Sequence, residues 1–194
     1  MVDNQPSMTL KVGLLGDSYT GKTSLMVKYV ENIFEKDYLA TLGVNFMEKI
    51  VKVSEKEITF SIWDLGGEEQ FQNMMPIVCI DAVALLYLFD LTRIDTLSNV
   101  KSWIQKAHKL NPTAIPLLIG TKYDLYAVKS EAEQKEMTDT ARKFAKAMDC
   151  PLIYCSSSHS INIQKIFKVI LSKVFSLEIA IPKISGDGDP ILEY

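Results

Sequence analysis

The sequence predicts an α/β fold, a doubly wound and mostly parallel six-stranded sheet flanked by helices. Three observations carry the prediction. Short apolar runs alternate along the chain with longer segments of helical periodicity. The connections between them are short, as in sheets wound by crossover helices. The run Ala82–Phe89 is apolar throughout, which suits a central strand covered on both faces.

Each element follows from its own pattern. Residues 1–8 are polar around Pro6 and read as a flexible arm ahead of a single domain over 9–177. Leu10–Leu15 is a buried strand that runs into Gly16, and Thr23–Tyr29 holds good helix formers. Residues 44–53 and 57–63 alternate about the polar Ser54–Lys56 and predict a hairpin. Leu97, Val100, Trp103, Ile104, Ala107 and Leu110 repeat at helical spacing, before a short strand at Ile115–Ile119. Residues 131–148 carry charge on one side and Ala141, Phe144, Ala145 and Met148 on the other. Pro151–Cys155 is the sixth strand. Ile163, Ile166, Phe167, Ile170, Leu171 and Val174 form the last apolar stripe. Residues 178–194 are a tail, with Gly186, Gly188 and Pro190; its Ile191, Leu192 and Tyr194 either dock on the domain or a partner, or belong to a disordered end.

Composition narrows the function. A length of 194 residues suits one domain with a full core. A net charge of −3 argues against nucleic-acid binding, which needs a basic surface. No apolar run is long enough to span a bilayer, and the first residues lack the pattern of a signal peptide. Cys79, Cys150 and Cys155 have no metal-ligand spacing and read as packing thiols in a reducing, cytoplasmic setting. His108 and His159 read as surface or edge residues.

The chemistry begins at Gly16-Asp17-Ser18-Tyr19-Thr20-Gly21-Lys22-Thr23, a Gly-x4-Gly-Lys-Thr run between a strand and a helix. Its glycines let the backbone curl so that N–H groups face phosphate oxygens, and the helix N-terminus adds its dipole. Lys22 then places a charge on the β- and γ-phosphates, and the Thr23 hydroxyl is a ligand for Mg²⁺. This loop alone leaves the base and the reaction open. A phosphotransferase acting on ATP is one alternative, but it needs a basic lid, and the chain holds only Arg93 and Arg142.

With these residues in view, the chain resembles a Ras-superfamily small GTPase over about residues 10–175, which identifies the domain as a P-loop G domain. The stretches VNFMEK (44–49), ITFSIWDLGG (58–67), IGTKYD (119–124), SHSINIQKIFK (158–168) and the ending GDPILEY are similar to the septum-promoting, mitotic-exit GTPases of yeasts. The resemblance implies GTP and GDP as ligands, with Mg²⁺. Thr41, in the segment 37–41, matches the switch I threonine that closes on Mg²⁺ and the γ-phosphate, so it holds its loop only in the triphosphate state. Asp64-Leu65-Gly66-Gly67 resembles switch II: Asp64 would hold Mg²⁺ through water, and the Gly67 N–H would reach the γ-phosphate. Thr23, Thr41 and Asp64 are thus the expected metal set, and Lys22, Thr41, Gly67 and Glu68 the expected catalytic set. Phe34 would stack on guanine; without the resemblance it is equally a hydrophobe at a helix end. Ser24 joins the nucleotide set beside Thr23.

Thr121-Lys122-Tyr123-Asp124 matches the guanine motif with Thr in place of Asn. Asp124 would accept from guanine N1–H and the exocyclic amine, which adenine cannot reproduce. Lys122 would lie over the purine. The loss of the Asn amide at Thr121 predicts lost or weakened bonds to base and loop. Ser156-Ser157-Ser158 stands where the family has Ser-Ala-Lys, with the Ser157 N–H on guanine O6.

Hydrolysis is expected to be slow. The family's water-orienting Gln is here Glu68, a carboxylate that only accepts hydrogen bonds at neutral pH, and Ser18 and Tyr19 replace P-loop glycines. The resemblance implies rescue by a TBC-type activating protein with a scaffold subunit, an effector protein kinase, and recruitment to a spindle-pole body or centrosome scaffold. The last cysteine is Cys155 and the end reads Asp189–Tyr194, so no direct lipid anchor is expected. The alternative is a GTP-locked interaction module that hardly hydrolyses its ligand.

Overall fold

The computed structural model describes residues 8–37, 39–53, 55–178 and 180–194. The predicted arm at 1–8 lies outside them except for Met8, as do Tyr38 of the switch I segment and Ser54 of the predicted hairpin turn.

A seven-stranded sheet forms the centre, in the order β2-β3-β1-β4-β5-β6-β7. The strands are β1 (Met8–Leu15), β2 (Val44–Val53), β3 (Lys56–Leu65), β4 (Ala84–Asp90), β5 (Ile115–Thr121), β6 (Leu152–Tyr154) and β7 (Leu192–Glu193). β1 pairs in parallel with both β3 and β4, and β4, β5 and β6 continue in parallel. β2 is antiparallel to β3, as the hairpin pattern predicts, and β7 is antiparallel to β6. The first six strands are those expected from the sequence. The seventh comes from the predicted tail: Ile191 and Leu192 are fully buried and lie against the domain.

The helices are α1 (Lys22–Glu31), α2 (Met75–Cys79), α3 (Ile94–Leu110), α4 (Tyr123–Tyr126), α5 (Glu131–Met148) and α6 (Ile163–Phe175), with a 3-10 turn at Glu69–Met74. The period-two rule divides the core cleanly. Ala84, Leu86 and Leu88 of β4 join Leu25, Met26, Ile166 and Phe167 of α1 and α6 on one face. Leu85, Tyr87 and Phe89 join Val78, Val100, Trp103 and Ala141 of α2, α3 and α5 on the other. Continuous burial of β4 is therefore burial on two faces, each supplied by different helices. Residues 69–79 carry no long periodic stripe, which hid α2 and its 3-10 turn from a reading of pattern.

Local chemistry fixes the helix ends. α5 starts on a capping box in which the Ser130 hydroxyl accepts from the Glu133 N–H while Glu133 accepts from the Ser130 N–H. It ends on Asp149 in a left-handed conformation. No described helix is long and apolar enough to cross a membrane. The carboxyl ends of β1, β3, β4, β5 and β6 fall on one edge of the sheet, at Leu15, Leu65, Asp90, Thr121 and Tyr154, where sheets of this winding take their ligands.

Candidate nucleotide site

The loop Gly16–Thr23 leaves β1 and enters α1 on that edge. Gly16 has φ 148°, and a Cβ there would lie 2.3 Å from the Leu88 carbonyl oxygen, so only glycine lets the loop pass this close to β4. Lys22 is almost wholly buried, and its Nζ donates to the carbonyls of Gly16 and Asp17, each at 2.9 Å. Burial pushes the ammonium down to about 8, against the opposing pull of Asp64 and Asp17. The Thr20 hydroxyl donates to the Asp17 carbonyl at 2.8 Å. α1 has neither a side-chain cap nor an acidic residue in its first turn. Its orphan N–H groups therefore have a positive end with no internal counter-charge, which suits an anion.

The loop is also clamped from outside, by residues the sequence reading assigned to packing or left unassigned. The Asp17 carboxylate accepts from Asn99 Nδ2 at 2.7 Å and from Trp103 Nε1 at 2.8 Å, both on α3. Arg93 Nη2 donates to the Ser18 carbonyl at 3.1 Å. Trp103 was legible only as one member of an apolar stripe; its indole N–H gives that stripe a polar end.

Thr23, Thr41 and Asp64 come together. Thr23 Oγ1 donates to Asp64 Oδ2 at 2.5 Å and lies 2.7 Å from Thr41 Oγ1, which is 3.2 Å from the same carboxylate oxygen. The other oxygen, Asp64 Oδ1, is buried without a hydrogen-bond partner, and burial raises this carboxyl despite Lys22, Thr23 and Thr41. An all-oxygen set with an unsatisfied buried carboxylate oxygen fits Mg²⁺, which prefers oxygen donors and retains waters.

Switch II rides on the loop. A Cβ on Gly67 would fall 2.2 Å from the Ser18 nitrogen and 2.4 Å from the Asp17 carbonyl carbon. The Gly66 N–H donates to the Gly43 carbonyl at 2.8 Å, joining switch II to the segment after Thr41. The Glu68 carboxylate accepts from Gln70 Nε2 at 2.7 Å.

Most residues expected to read the base line one cavity of about 260 Å³, among them Tyr19, Gly21, Ser24, Phe34, Lys122 and Asp124, together with Thr121, Ser157 and Ser158. Tyr19 holds a left-handed φ of 62° in the loop, and Lys122 one of 59°. Strained non-glycine backbone of this kind is held in place by its surroundings. Ser156 does not line the cavity. Fully buried, its hydroxyl donates to Asp124 Oδ1 at 2.6 Å and so orients the carboxylate. His159, expected as a plain surface residue, places Nδ1 3.7 Å from Asp124 Oδ2.

Thr121 departs from its expectation in part. Its hydroxyl donates to the Thr20 carbonyl at 2.6 Å and lies 3.0 Å from the Phe89 carbonyl, so a direct bond to the loop is kept by a shorter side chain. Asp90 belongs to none of the motifs. This buried carboxylate meets Lys122 Nζ at 2.7 Å and Arg93 Nε at 3.1 Å, and it accepts from the Thr92 N–H and hydroxyl. Burial pushes it up, but the bonds from Lys122 and Thr92 outweigh burial and hold it below the usual carboxylate range. A lone charge ending an apolar strand was the available signal.

The Ras family profile matches residues 11–176. The chain is 56% identical over 188 residues to Septum-promoting GTP-binding protein 1 of Schizosaccharomyces pombe, covering 97% of this chain and 95% of that one. It is 31% identical to Ras-related protein Rab-22A of Homo sapiens, over 92% of this chain and 90% of that one. Against Ras-related protein SEC4 of Saccharomyces cerevisiae the figure is 30%, over 93% and 81%. A family match over residues 11–176, with a relative 56% identical over nearly the whole chain, places this chain in the Ras family, as a small GTPase that binds GTP and GDP with Mg²⁺ and hydrolyses GTP.

Proposed function

We propose that this GTPase is a switch in cell division, acting in septation, mitotic exit or cytokinesis, with slow intrinsic hydrolysis that depends on an activating protein. The observation that carries the switch is the meeting of Thr23, Thr41 and Asp64, which ties the phosphate loop, switch I and switch II to one point. Lys22 and the α1 N–H groups bind the phosphates, and Mg²⁺ held by Thr23, Thr41 and Asp64 supplies neutralising charge when bound. Thr41 and the Gly67 N–H hold both switches closed only while a γ-phosphate is there to be held. Asp124, oriented by Ser156, selects guanine. The cell-division role is supported by the septum-promoting relative.

Glu68 makes the reaction dependent on help. Its carboxylate can accept from an attacking water but cannot donate to transition-state oxygens, and it adds negative charge to a crowded site. A TBC-type activator with its scaffold subunit would supply an arginine and a glutamine from outside. An effector protein kinase would read the closed switches, and protein contacts would recruit the GTPase from the cytoplasm to a spindle-pole or centrosome scaffold. The exposed Leu39, Leu42 and Phe46, with Phe46 stacked on Trp63 at 5.1 Å, offer apolar surface beside switch I for such partners.

A single-turnover assay tests this. Without a partner, hydrolysis is expected at or below about 10⁻⁴ s⁻¹, the scale of the unassisted reaction in Ras, and a TBC-type activator accelerates it. Rapid turnover by the protein alone would refute the dependence. No acceleration with any activator would favour the GTP-locked module.

A further inference from the structure

The C-terminal segment is tied to both halves of the base-reading site. The first tie is Tyr123, which stands between Lys122 and Asp124. Its backbone N–H donates to the Cys155 carbonyl at 3.0 Å, and its hydroxyl donates to the Gly188 carbonyl at 2.7 Å. The second is Asn162, which closes the loop bridged at Ser156 and Ile161. Its side-chain amide donates to the Tyr154 carbonyl at 2.8 Å and to the Pro190 carbonyl at 3.0 Å.

The segment is itself anchored on α5 and β6. Arg142 on α5 pairs with Asp187 at 3.0 Å and Glu193 at 2.9 Å and donates to the Ser185 carbonyl at 2.6 Å. Ile191 and Leu192 are fully buried, and the Tyr154 N–H donates to the Ile191 carbonyl at 2.8 Å. Residues 184–194 thus form a strap pinned at α5 and β6, whose middle bonds to the backs of the two segments that face the base.

We propose that this strap positions Asp124 and the Ser156–Ser158 loop, so that the C-terminal segment sets the selectivity for guanine. Tyr123 and Asn162 are positioning residues: they act through Asp124 and the serine loop rather than on the ligand. The inference rests on the reading of Asp124 as the guanine acceptor. A carboxylate that must accept from both N1–H and the exocyclic amine needs its position fixed along two directions; Ser156 bonds one of its oxygens, His159 stands 3.7 Å from the other, and the strap holds the backbone that carries it.

The test compares GDP with inosine diphosphate, which lacks the exocyclic amine, on the full-length protein. Tyr123→Phe removes one hydroxyl, and Arg142→Gln loosens the strap at its remote end. Each should lower the preference for GDP over inosine diphosphate by about three- to tenfold, a partial weakening of the charge-assisted bond from the exocyclic amine to Asp124. A merely structural strap would weaken both nucleotides alike and leave the ratio unchanged. An unchanged ratio in either variant overturns the proposal. Asp124→Asn is the control for the underlying reading: it must abolish the preference, and if it does not, the assignment of Asp124 fails and the strap's proposed role fails with it.

Discussion

Asp90 and Thr121 show how little of the site's support lies in its recognisable residues. Asp90 touches neither the cavity nor the phosphate loop directly, yet it pairs with Lys122, which lines the cavity, and with Arg93, which donates to the loop at Ser18. Its two cationic partners are each about a third exposed, so the cost of Asp90→Asn falls short of a fully buried pair. A loss of about 2 kcal/mol in urea unfolding is expected, together with faster GDP release as Lys122 loses its anchor. Thr121→Val keeps the shape and removes the hydroxyl, leaving the Thr20 carbonyl without that donor; about 1 kcal/mol of stability should go, and GDP dissociation measured by fluorescence should quicken. Retained release rates in both variants would count against the support ascribed to them. Motif spacing made the residues that face the ligand legible, because each needs a fixed chemistry at a fixed offset. Asp90 reaches Lys122, Asn99 reaches Asp17 and Arg93 reaches Ser18 across sequence separations that no spacing encodes, and Trp103 was hidden because one polar atom on a core side chain leaves the apolar period intact.

Helices and strands were legible wherever burial is one-sided or complete over a long stretch. β4 gave an unbroken apolar run because α1 and α6 cover one face and α2, α3 and α5 the other. α5 was legible from its stripe, and its start is set by a capping box that also carries a pH signature. Hydrogen bonds from Ser130, then Lys129, hold the Glu133 carboxyl down to about 2. A carboxyl lower in the folded state than in the unfolded one stabilises the fold above its unfolded value and loses that contribution as pH falls toward 2. The melting-temperature gap between the native protein and Glu133→Gln should therefore be full near neutrality and close between about pH 4.5 and about pH 2. A gap independent of pH would show that the ionised carboxylate contributes nothing. The short elements α2, α4 and β7 escaped prediction for a common reason: none is long enough to repeat its period, and each exists because tertiary neighbours hold it.

At the scale of the molecule, the sheet edge carrying the site is drawn together from five strand ends, and α3 spans two of its parts. Besides its grip on Asp17, α3 reaches the 3-10 turn after switch II, where Lys106 Nζ donates to Gln72 Oε1 at 2.5 Å. The 3-10 turn at Glu69–Met74 and the phosphate loop are thus both bonded to one helix. β7 has a different consequence, one of colloidal behaviour. A parallel sheet that ended at β6 would offer Leu152–Tyr154 as an unpaired edge, a template for strand pairing between copies. β7 occupies that edge and buries Ile191 and Leu192 over it, so the edges of the described sheet are the two-residue β7, bridged to Ile184, and β2, where Glu48, Lys49 and Lys52 interrupt the apolar positions. A chain shortened before Ile184 should scatter light on gentle warming at concentrations where the full chain stays clear, and clarity in both would show the β6 edge to be harmless. Residues 184–194 thus cover a strand edge that would otherwise be open to pairing between copies.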